Sequence, residues 1–289
     1  MAIGFYEFLV GEEDDNLSLR HFLRRRCGLS ARSMTVIKYS GGSITCGTRE
    51  LRAHDILRHG ELISVRLPRE SCEIEPVKGD LDILYEDERL LIVNKPSAMP
   101  VHPTKRHQLD TLANIVSFYQ KSRGESYTFR ALNRLDKDTS GCVVMVKDRI
   151  AYALIQPTVD KRYIAVCEGY TARNGVIDVP IALAPDSIIK RCVSPDGAEA
   201  VTHYEALAQG NGHTMLRLRL ETGRTHQIRC HMSHIGHPLA GDDLYGGSLR
   251  FLDRQALHCR DVELIHPDTR EKLSLTTEIP AIFHAIISP

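Results

Sequence analysis

The feature that most constrains the fold is a short apolar run, Cys142 to Val146, that directly follows the polar stretch Asn133 to Gly141. The run has the length and the β-branched content of a buried strand. In an extended backbone, Arg134 and Asp136 would point the same way while Leu135 turns to the core. We therefore predict a carboxylate displayed at the end of a strand. From the residues alone, a surface turn with an arginine–aspartate pair explains the stretch equally well.

The composition is that of a globular chain, since 42% of the 289 residues are hydrophobic. The longest uncharged apolar stretch, residues 279–289, is well short of the roughly 20 residues of a membrane-spanning helix. Acidic residues at 12–15 follow an N-terminus without basic residues, which argues against a signal peptide. The eight cysteines form no C-x-x-C pair. We expect reduced thiols, a cytoplasmic location and no membrane contact.

The charge is unevenly distributed, although the formal net charge is zero. Residues 17–70 contain 11 lysines and arginines but only four acidic residues, which gives this segment a net charge of +7. Apolar residues at helical spacing from Leu19 to Cys27 predict a helix whose other side carries Arg20, Arg24 and Arg25. Such a basic surface is expected to contact phosphates. A merely solvated helix surface would have the same pattern.

The chain has a predicted boundary near residue 75. Ser30 can cap a second helix, and alternating apolar residues at 44–46 and 63–67 predict a small sheet after it. The stretch 71–79 contains proline and glycine and indicates a linker. The prediction has two parts: residues 1–75 as a small basic α/β module with its linker, and residues 76–289 as a second domain. We expect the second domain to fold without the first.

Strand patterns outnumber helix patterns after residue 76 and do not alternate regularly with them. A hairpin at residues 83–96 comes first, and a helix capped by Asp110 or Thr111 follows. Further strands are predicted at three places: residues 175–181, 200–207 and 214–220. This order predicts an α+β domain in which helices and loops flank a largely antiparallel mixed sheet.

Three motifs follow one another in this second domain: Arg134-Leu135-Asp136-Lys137-Asp138-Thr139-Ser140-Gly141, then Lys161 to Gly169, then Leu220 to His231. In this order they resemble the RluA-type RNA pseudouridine synthases, and the resemblance extends from Asp80 to the C-terminus. It implies an isomerase with one essential carboxylate, Asp136. It also implies five substrate-binding residues. Tyr163 would stack on the uracil, Arg229 would pair with Asp136, Arg134 would occupy the vacated space in the RNA, and Leu135 and Ile228 would form apolar walls.

The first 75 residues resemble an S4-type RNA-binding module in their helix–helix–sheet order and in Gly28-Leu29-Ser30 between the helices. This resemblance implies RNA contacts from the basic helix: Arg20, Arg24 and Arg25. In the second domain, Asn94-Lys95-Pro96 and Val101-His102-Pro103 resemble a region of the synthase family that faces RNA. Lys95 and His102 are therefore expected to contact RNA.

Two features depart from the synthase family. Asn133 stands where the family commonly has His, and we expect this difference to alter RNA contact more than chemistry. Residues 149–161 are several residues short for the usual helix before the second motif, so the shape around Tyr163 should differ.

A zinc site is the metal alternative, because His and Cys side chains at short spacing are common zinc ligands. The candidates are His226, Cys230, His231, His234 and His237. We favour a helix capped by Thr225 and ended near Gly236, on which the His residues face different sides. Residues 241–247 match neither phosphate-loop pattern. We therefore expect neither a metal nor a cofactor.

The resulting hypothesis is an RNA pseudouridine synthase that isomerises specific uridines in structured ribosomal or transfer RNA. Asp136 would act either as a nucleophile at C1′ or as a base toward the C2′ proton, and the sequence leaves both routes open. We expect a monomer that does not bind DNA. The alternative is a non-catalytic RNA-binding or assembly factor on the same scaffold.

Overall fold

A computed structural model describes residues 4–288 of the chain. The helices are α1 Leu19–Cys27, α2 Ala31–Tyr39, α3 Leu112–Ser122, α4 Arg149–Ile155, α5 Gln227–His234 and α6 Ala281–Ile287. The strands are β1 Phe5–Leu9, β2 Ser43–Cys46, β3 Arg49–Glu50, β4 Leu62–Arg66, β5 Ile83–Glu86, β6 Leu90–Lys95, β7 Ser140–Val146, β8 Asp160–Glu168, β9 Asn174–Asp178, β10 Ile181–Leu183, β11 Arg191–Val193, β12 Val201–Gly210, β13 His213–Leu220, β14 Leu257–Ile265 and β15 Lys272–Thr276. Within the described range, no helix combines the length and the hydrophobicity needed to cross a bilayer.

Nine strands form one mixed sheet in the order β5-β6-β7-β14-β8-β13-β12-β9, with β15 paired to β14. The pairing of β7 with β14 is parallel, and the other pairings of this sheet are antiparallel. The predicted α+β architecture on a largely antiparallel sheet is therefore confirmed. The predicted strand 175–181 is interrupted, because Pro180 cannot donate to a ladder and separates β9 from β10.

Strand β7 lies at the centre of the main core, and all seven of its residues are buried. Asn133 binds its backbone from the preceding loop: the Asn133 amide donates to the Cys142 carbonyl, and its oxygen accepts from the Val144 N–H, both at 2.9 Å. The side chain thus substitutes for two ladder bonds. The expectation that Asn133 alters RNA contact stays a prediction; in the structure this buried residue fixes the loop that carries Asp136.

The N-terminal segment has its own sheet, in the order β1-β4-β2-β3, packed against α1 and α2. Ser30 caps α2 by accepting from the Ser33 N–H at 3.1 Å, as predicted. Gly28 ends α1 with a left-handed backbone, which is the conformation that glycine favours. The division of the chain near residue 75 stays a prediction, because the apolar core of this segment also includes Ile150 of α4.

The N-terminal segment docks on the second part of the chain through a buried polar cluster. The Tyr6 hydroxyl donates to Asp148 at 2.7 Å, and the Arg89 guanidinium lies 3.9 Å from the centre of the Tyr6 ring. Arg89 also donates to the Phe5 carbonyl at 2.7 Å. Asp148 is the N-cap of α4 and accepts from the Ile150 N–H at 2.8 Å. Removal of residues 1–75 would expose this cluster, so we expect the remainder to be destabilised.

Replacement of Asp148 by Ala should lower the free energy of unfolding by about 2–5 kcal/mol, because it removes the cap of α4 and the acceptor of the buried Tyr6 hydroxyl, while Arg89 keeps Asp268 as its closer carboxylate at 2.8 Å. Ser30→Ala is the matched control, since it removes a helix cap that has no partner in the polar cluster and should cost about 0.5–2 kcal/mol. Denaturant titration of both variants measures the difference. Equal costs for the two would mean that Asp148 acts as a helix cap alone.

Candidate active site

The three motifs converge on one small cavity that is partly open to solvent. Asp136 lies in the loop before β7, Tyr163 lies on β8, and Ile228 and Arg229 lie in the first turn of α5. Further lining residues are Arg134, Leu135, Thr139, Leu220, Arg224, His226, Gln227 and Leu257.

Arg229 joins two carboxylates at the base of this cavity. Its Nε and Nη2 donate to the two oxygens of Asp242 at 2.6 and 2.7 Å, and its Nη1 donates to Asp136 Oδ2 at 3.3 Å. The Asp242 side chain is fully buried, whereas the Asp136 side chain is 26% exposed. The short, paired bonds hold Arg229 to Asp242, and the longer bond leaves Asp136 within reach of a ligand.

Asp242 was missed as a site residue, although it ends the stretch Gly236 to Asp242 beside the third motif. The turn after α5 folds back and places this carboxylate against Arg229, which is 13 residues earlier in the chain. An acidic residue in a glycine-rich turn after an arginine-bearing helix was the available signal. The expected pairing of Arg229 with Asp136 is present at 3.3 Å, but Asp136 is partly exposed and the fully buried carboxylate partner of Arg229 is Asp242.

The arginine is a permanent cation in this environment. Burial alone would lower the pKa of Arg229, but its hydrogen bonds and charge interactions with Asp242 and Asp136 raise the pKa above its ordinary value. Its guanidinium also lies 5.0 Å from the centre of the Tyr245 ring, a cation–π distance. The cavity therefore presents one accessible carboxylate beside a fixed positive charge.

Tyr163 forms one wall of the cavity and is buried. Burial raises the pKa of its phenol well above the ordinary value, and the neighbouring Cys259 of β14 raises it further. The ring is thus a neutral aromatic surface. Leu135 and Ile228 are also buried and line the same cavity, and Arg134 lies exposed at its rim.

A wider groove adjoins this cavity and shares Asp136 and Tyr163 with it. His102 lines the groove, with its ring edge-on to Phe129 at 5.0 Å between centroids. Burial, and then the positive charge of Arg134, lower the pKa of His102 below its ordinary value. A contact of neutral His102 with RNA stays a prediction.

Lys95 does not reach this groove, so the expectation of an RNA contact from Lys95 is wrong. The side chain is fully buried, and its Nζ donates to the carbonyls of Pro96, Met99 and Lys137 at 2.7, 2.8 and 3.1 Å. Burial lowers the pKa of Lys95 to about 7, while the charges of Asp138 and Asp136 favour its protonated form. Because Lys137 follows Asp136, the bond from Lys95 to the Lys137 carbonyl joins the loop of Asp136 to the end of β6.

The candidate zinc ligands have other partners. His231 contacts the Thr202 hydroxyl and the Val179 carbonyl, and His237 contacts the Glu168 carbonyl. Among residues 4–288, no three His, Cys, Asp or Glu side chains are grouped as a metal site. The predicted cap of α5 is also wrong: the helix begins after His226, which has a left-handed backbone, and Thr225 does not cap it.

Comparison with known proteins places this site in a family. Residues 89–234 match the family described as RNA pseudouridylate synthase. The chain is 40% identical to the Uncharacterized RNA pseudouridine synthase YjbO of Bacillus subtilis (strain 168) over 263 residues, which cover 88% of this chain and 92% of that protein. The chain belongs to the RNA pseudouridylate synthase family.

Two further relatives support this assignment to the RNA pseudouridylate synthases. Ribosomal large subunit pseudouridine synthase D of Escherichia coli (strain K12) is 38% identical over 241 residues, covering 76% of this chain and 74% of that protein. The structure of Human RNA Pseudouridylate Synthase Domain Containing 1 superposes with a TM-score of 0.56 at 26% identity. That superposition covers 71% of this chain and 86% of the human chain.

Arg229→Ala should lower the free energy of unfolding by about 3–5 kcal/mol, because it leaves the Asp242 carboxylate buried without a counter-charge. Asp136→Ala is the matched control. It removes the other carboxylate that Arg229 contacts, but one that is partly exposed and held by a single long bond, so it should cost about 1 kcal/mol or less. Chemical denaturation compares the two. Identical unfolding curves would show that Asp242 does not depend on Arg229.

Proposed function

We propose that this protein isomerises specific uridines of structured RNA to pseudouridine, with ribosomal RNA as the first class of substrate to test. The proposal rests on one observation: a single accessible carboxylate, Asp136, lies beside the cation of Arg229 and in a cavity walled by Tyr163. The names of the relatives support RNA as the substrate. The assignment of ribosomal rather than transfer RNA rests on the relatives named for the large ribosomal subunit.

The reaction breaks the N1–C1′ bond of the nucleotide and forms a C5–C1′ bond. The base gains a proton at N1 and loses one from C5, so the net change needs no oxidant, reductant or added group. A carboxylate can perform the key step, either by attack on C1′ or by removal of the C2′ proton. Asp136 must be ionised for either route, and the Arg229 cation lies beside it as a counter-charge.

The target base must leave its helix before it can enter the cavity, which costs a few kcal/mol of unstacking free energy. Stacking on an aromatic ring contributes about 1–3 kcal/mol per base and would offset this cost. We assign this role to Tyr163, because its ring is neutral and lines the cavity beside Asp136. Arg134 at the rim would fill the space that the base vacates.

The alternative is a non-catalytic RNA-binding factor on the same scaffold. It requires no particular residue at the base of the cavity. The combined presence of Asp136, Tyr163, Arg229 and the buried Asp242 favours the enzyme, because an RNA-binding factor has no use for a buried arginine that holds one accessible carboxylate. The expected monomeric state and cytoplasmic location stay predictions.

Asp136→Asn should abolish pseudouridine formation and leave the fold and RNA affinity nearly unchanged, since the amide keeps the shape but loses the charge. Asp138→Asn is the matched control, because Asp138 lies in the same loop but does not line the cavity. Pseudouridine mapping across cellular RNA, with and without the gene and with each variant restored, gives the readout. Wild-type levels of modification with Asp136→Asn would refute the proposed function.

The N-terminal segment is proposed as an RNA-affinity surface. Arg20 and Arg24 are exposed on α1, and within residues 4–288 neither forms an ion pair. Arg25 is also exposed, but it pairs with Asp14 at 3.1 Å. This pairing partly neutralises Arg25, so we assign the stronger phosphate contacts to Arg20 and Arg24.

The double variant Arg20→Gln/Arg24→Gln should bind RNA more weakly, because each arginine that contacts a phosphate releases counterions when RNA binds. The slope of log K against log salt should become shallower by about 0.7–0.9 for each phosphate that is no longer bound. Turnover at saturating RNA should be unaffected, because the active site is unchanged. Lys121→Gln/Arg173→Gln removes two exposed cations that lie outside α1 and controls for the change in net charge. An equal effect of the control on the slope would mean that α1 has no special role.

A further inference from the structure

We propose that His226 is a positioning residue that holds the Asp136 carboxylate in its reactive orientation, by donating from Nε2 to the same oxygen that Arg229 contacts. This inference rests on the proposed function. His226 lines the cavity beside Asp136, and its Nε2 lies 3.8 Å from Asp136 Oδ2. The side chain is largely buried, with 14% of its surface exposed.

The backbone of His226 is in an unusual state. Its φ is 56°, in the left-handed region that favours glycine and is costly for a residue with a bulky side chain. The residue precedes the first turn of α5, yet its side chain makes no capping hydrogen bond. Helix capping therefore does not explain why a histidine occupies this position. The side chain instead points to the cavity, between Asp136 and Tyr245.

The neighbouring Tyr245 determines which ring nitrogen carries the proton. The Arg191 N–H donates to the Tyr245 hydroxyl oxygen at 2.8 Å, and His226 Nδ1 lies 3.1 Å from the same oxygen. In the part of the chain that the structure describes, Nδ1 is the acceptor available to the Tyr245 hydroxyl proton. Because buried hydroxyls donate their proton where they can, Nδ1 accepts and the hydrogen of neutral His226 lies on Nε2.

The resulting Nε2–H faces the catalytic carboxylate. Burial lowers the pKa of His226 below its ordinary value. The charges of Asp136 and Asp242 raise this pKa, and the charges of Arg229 and Arg191 lower it, so the burial effect prevails. A neutral ring donates a hydrogen bond without adding a second cation beside Arg229. At 3.8 Å the contact is longer than a hydrogen bond, so we expect a small rotation of Asp136 to close it when substrate binds.

The two donors define the reactive oxygen. Arg229 Nη1 and His226 Nε2 both approach Oδ2 of Asp136. Across residues 4–288, Oδ1 of Asp136 accepts no hydrogen bond from the protein. With Oδ2 held on two sides, Oδ1 is the oxygen left to attack C1′ or to take the C2′ proton. His226 thus orients the carboxylate and does not itself touch the reacting atoms.

Two substitutions separate this role from a structural one. His226→Gln keeps an amide N–H near the position of Nε2 and can still donate to Asp136. His226→Asn keeps only a group near the position of Nδ1, so it can contact Tyr245 but cannot reach Asp136. Asn also tolerates the left-handed backbone better than Gln does. The proposal therefore predicts that His226→Asn is the more stable variant and that His226→Gln is the faster one.

The experiment measures single-turnover rate, RNA dissociation constant and Tm, with a transcript that spans a uridine converted by the wild-type protein. We expect His226→Asn to melt at or above the temperature of His226→Gln, yet to react about ten- to hundredfold more slowly than the wild type, the effect of losing one hydrogen bond to a charged group. His226→Gln should recover most of this rate. The dissociation constant should stay within about twofold in both variants, because His226 acts on Asp136 and not on RNA affinity.

Three outcomes would overturn the inference: a wild-type rate for His226→Asn, equal rates for the two variants, or a slow His226→Asn whose loss is wholly in RNA affinity. The proposed function is tested separately in the same experiment. If the wild-type protein converts no uridine in RNA from cells that lack the gene, the proposed function fails. If the wild type is active and His226→Asn is equally active, only the role of His226 fails.

Discussion

The buried ion pair between Arg229 and Asp242 is the interaction on which the site depends. A buried arginine is stable only when its charge is matched and its donors are satisfied. Asp242 meets both needs with two short hydrogen bonds, and it leaves Nη1 of Arg229 directed at Asp136. The Asp136 carboxylate can therefore remain partly exposed and weakly held, because the cation beside it is fixed from the other side.

The loop that carries Asp136 is fixed just as firmly by backbone contacts. Asn133 replaces two ladder bonds of β7 on one side of Asp136, and Lys95 binds the carbonyl of Lys137 on the other. Neither residue faces the cavity, yet each restricts where the carboxylate can lie. The Asp136 carboxylate lies on a short loop, but these bonds to β7 and to the end of β6 restrict its position. Catalytic groups need such restriction.

The sequence predicted the parts of this structure that depend on local patterns or on motifs. The strand β7, the helices α1 and α2, and the α+β architecture follow from residue periodicity, and Asp136, Tyr163 and Arg229 were identified through family motifs. Contacts made by tertiary packing were missed: the burial of Lys95, the pairing of Arg229 with Asp242, and the docking of Tyr6 on Asp148, 142 residues away. Such contacts depend on how loops and helices fold back on one another, and residue patterns do not specify that.

The short bonds of Asp242 to Arg229 predict that Asp242 acts on catalysis only through Arg229. A double-mutant cycle tests it, with single-turnover rates of Arg229→Lys, Asp242→Asn and the double variant on one RNA substrate. Residues that act as a unit are not additive, so the double variant should be no slower than the slower single variant. Rate losses that multiply in the double variant, or a folded Asp242→Asn enzyme with the wild-type rate, would contradict the account.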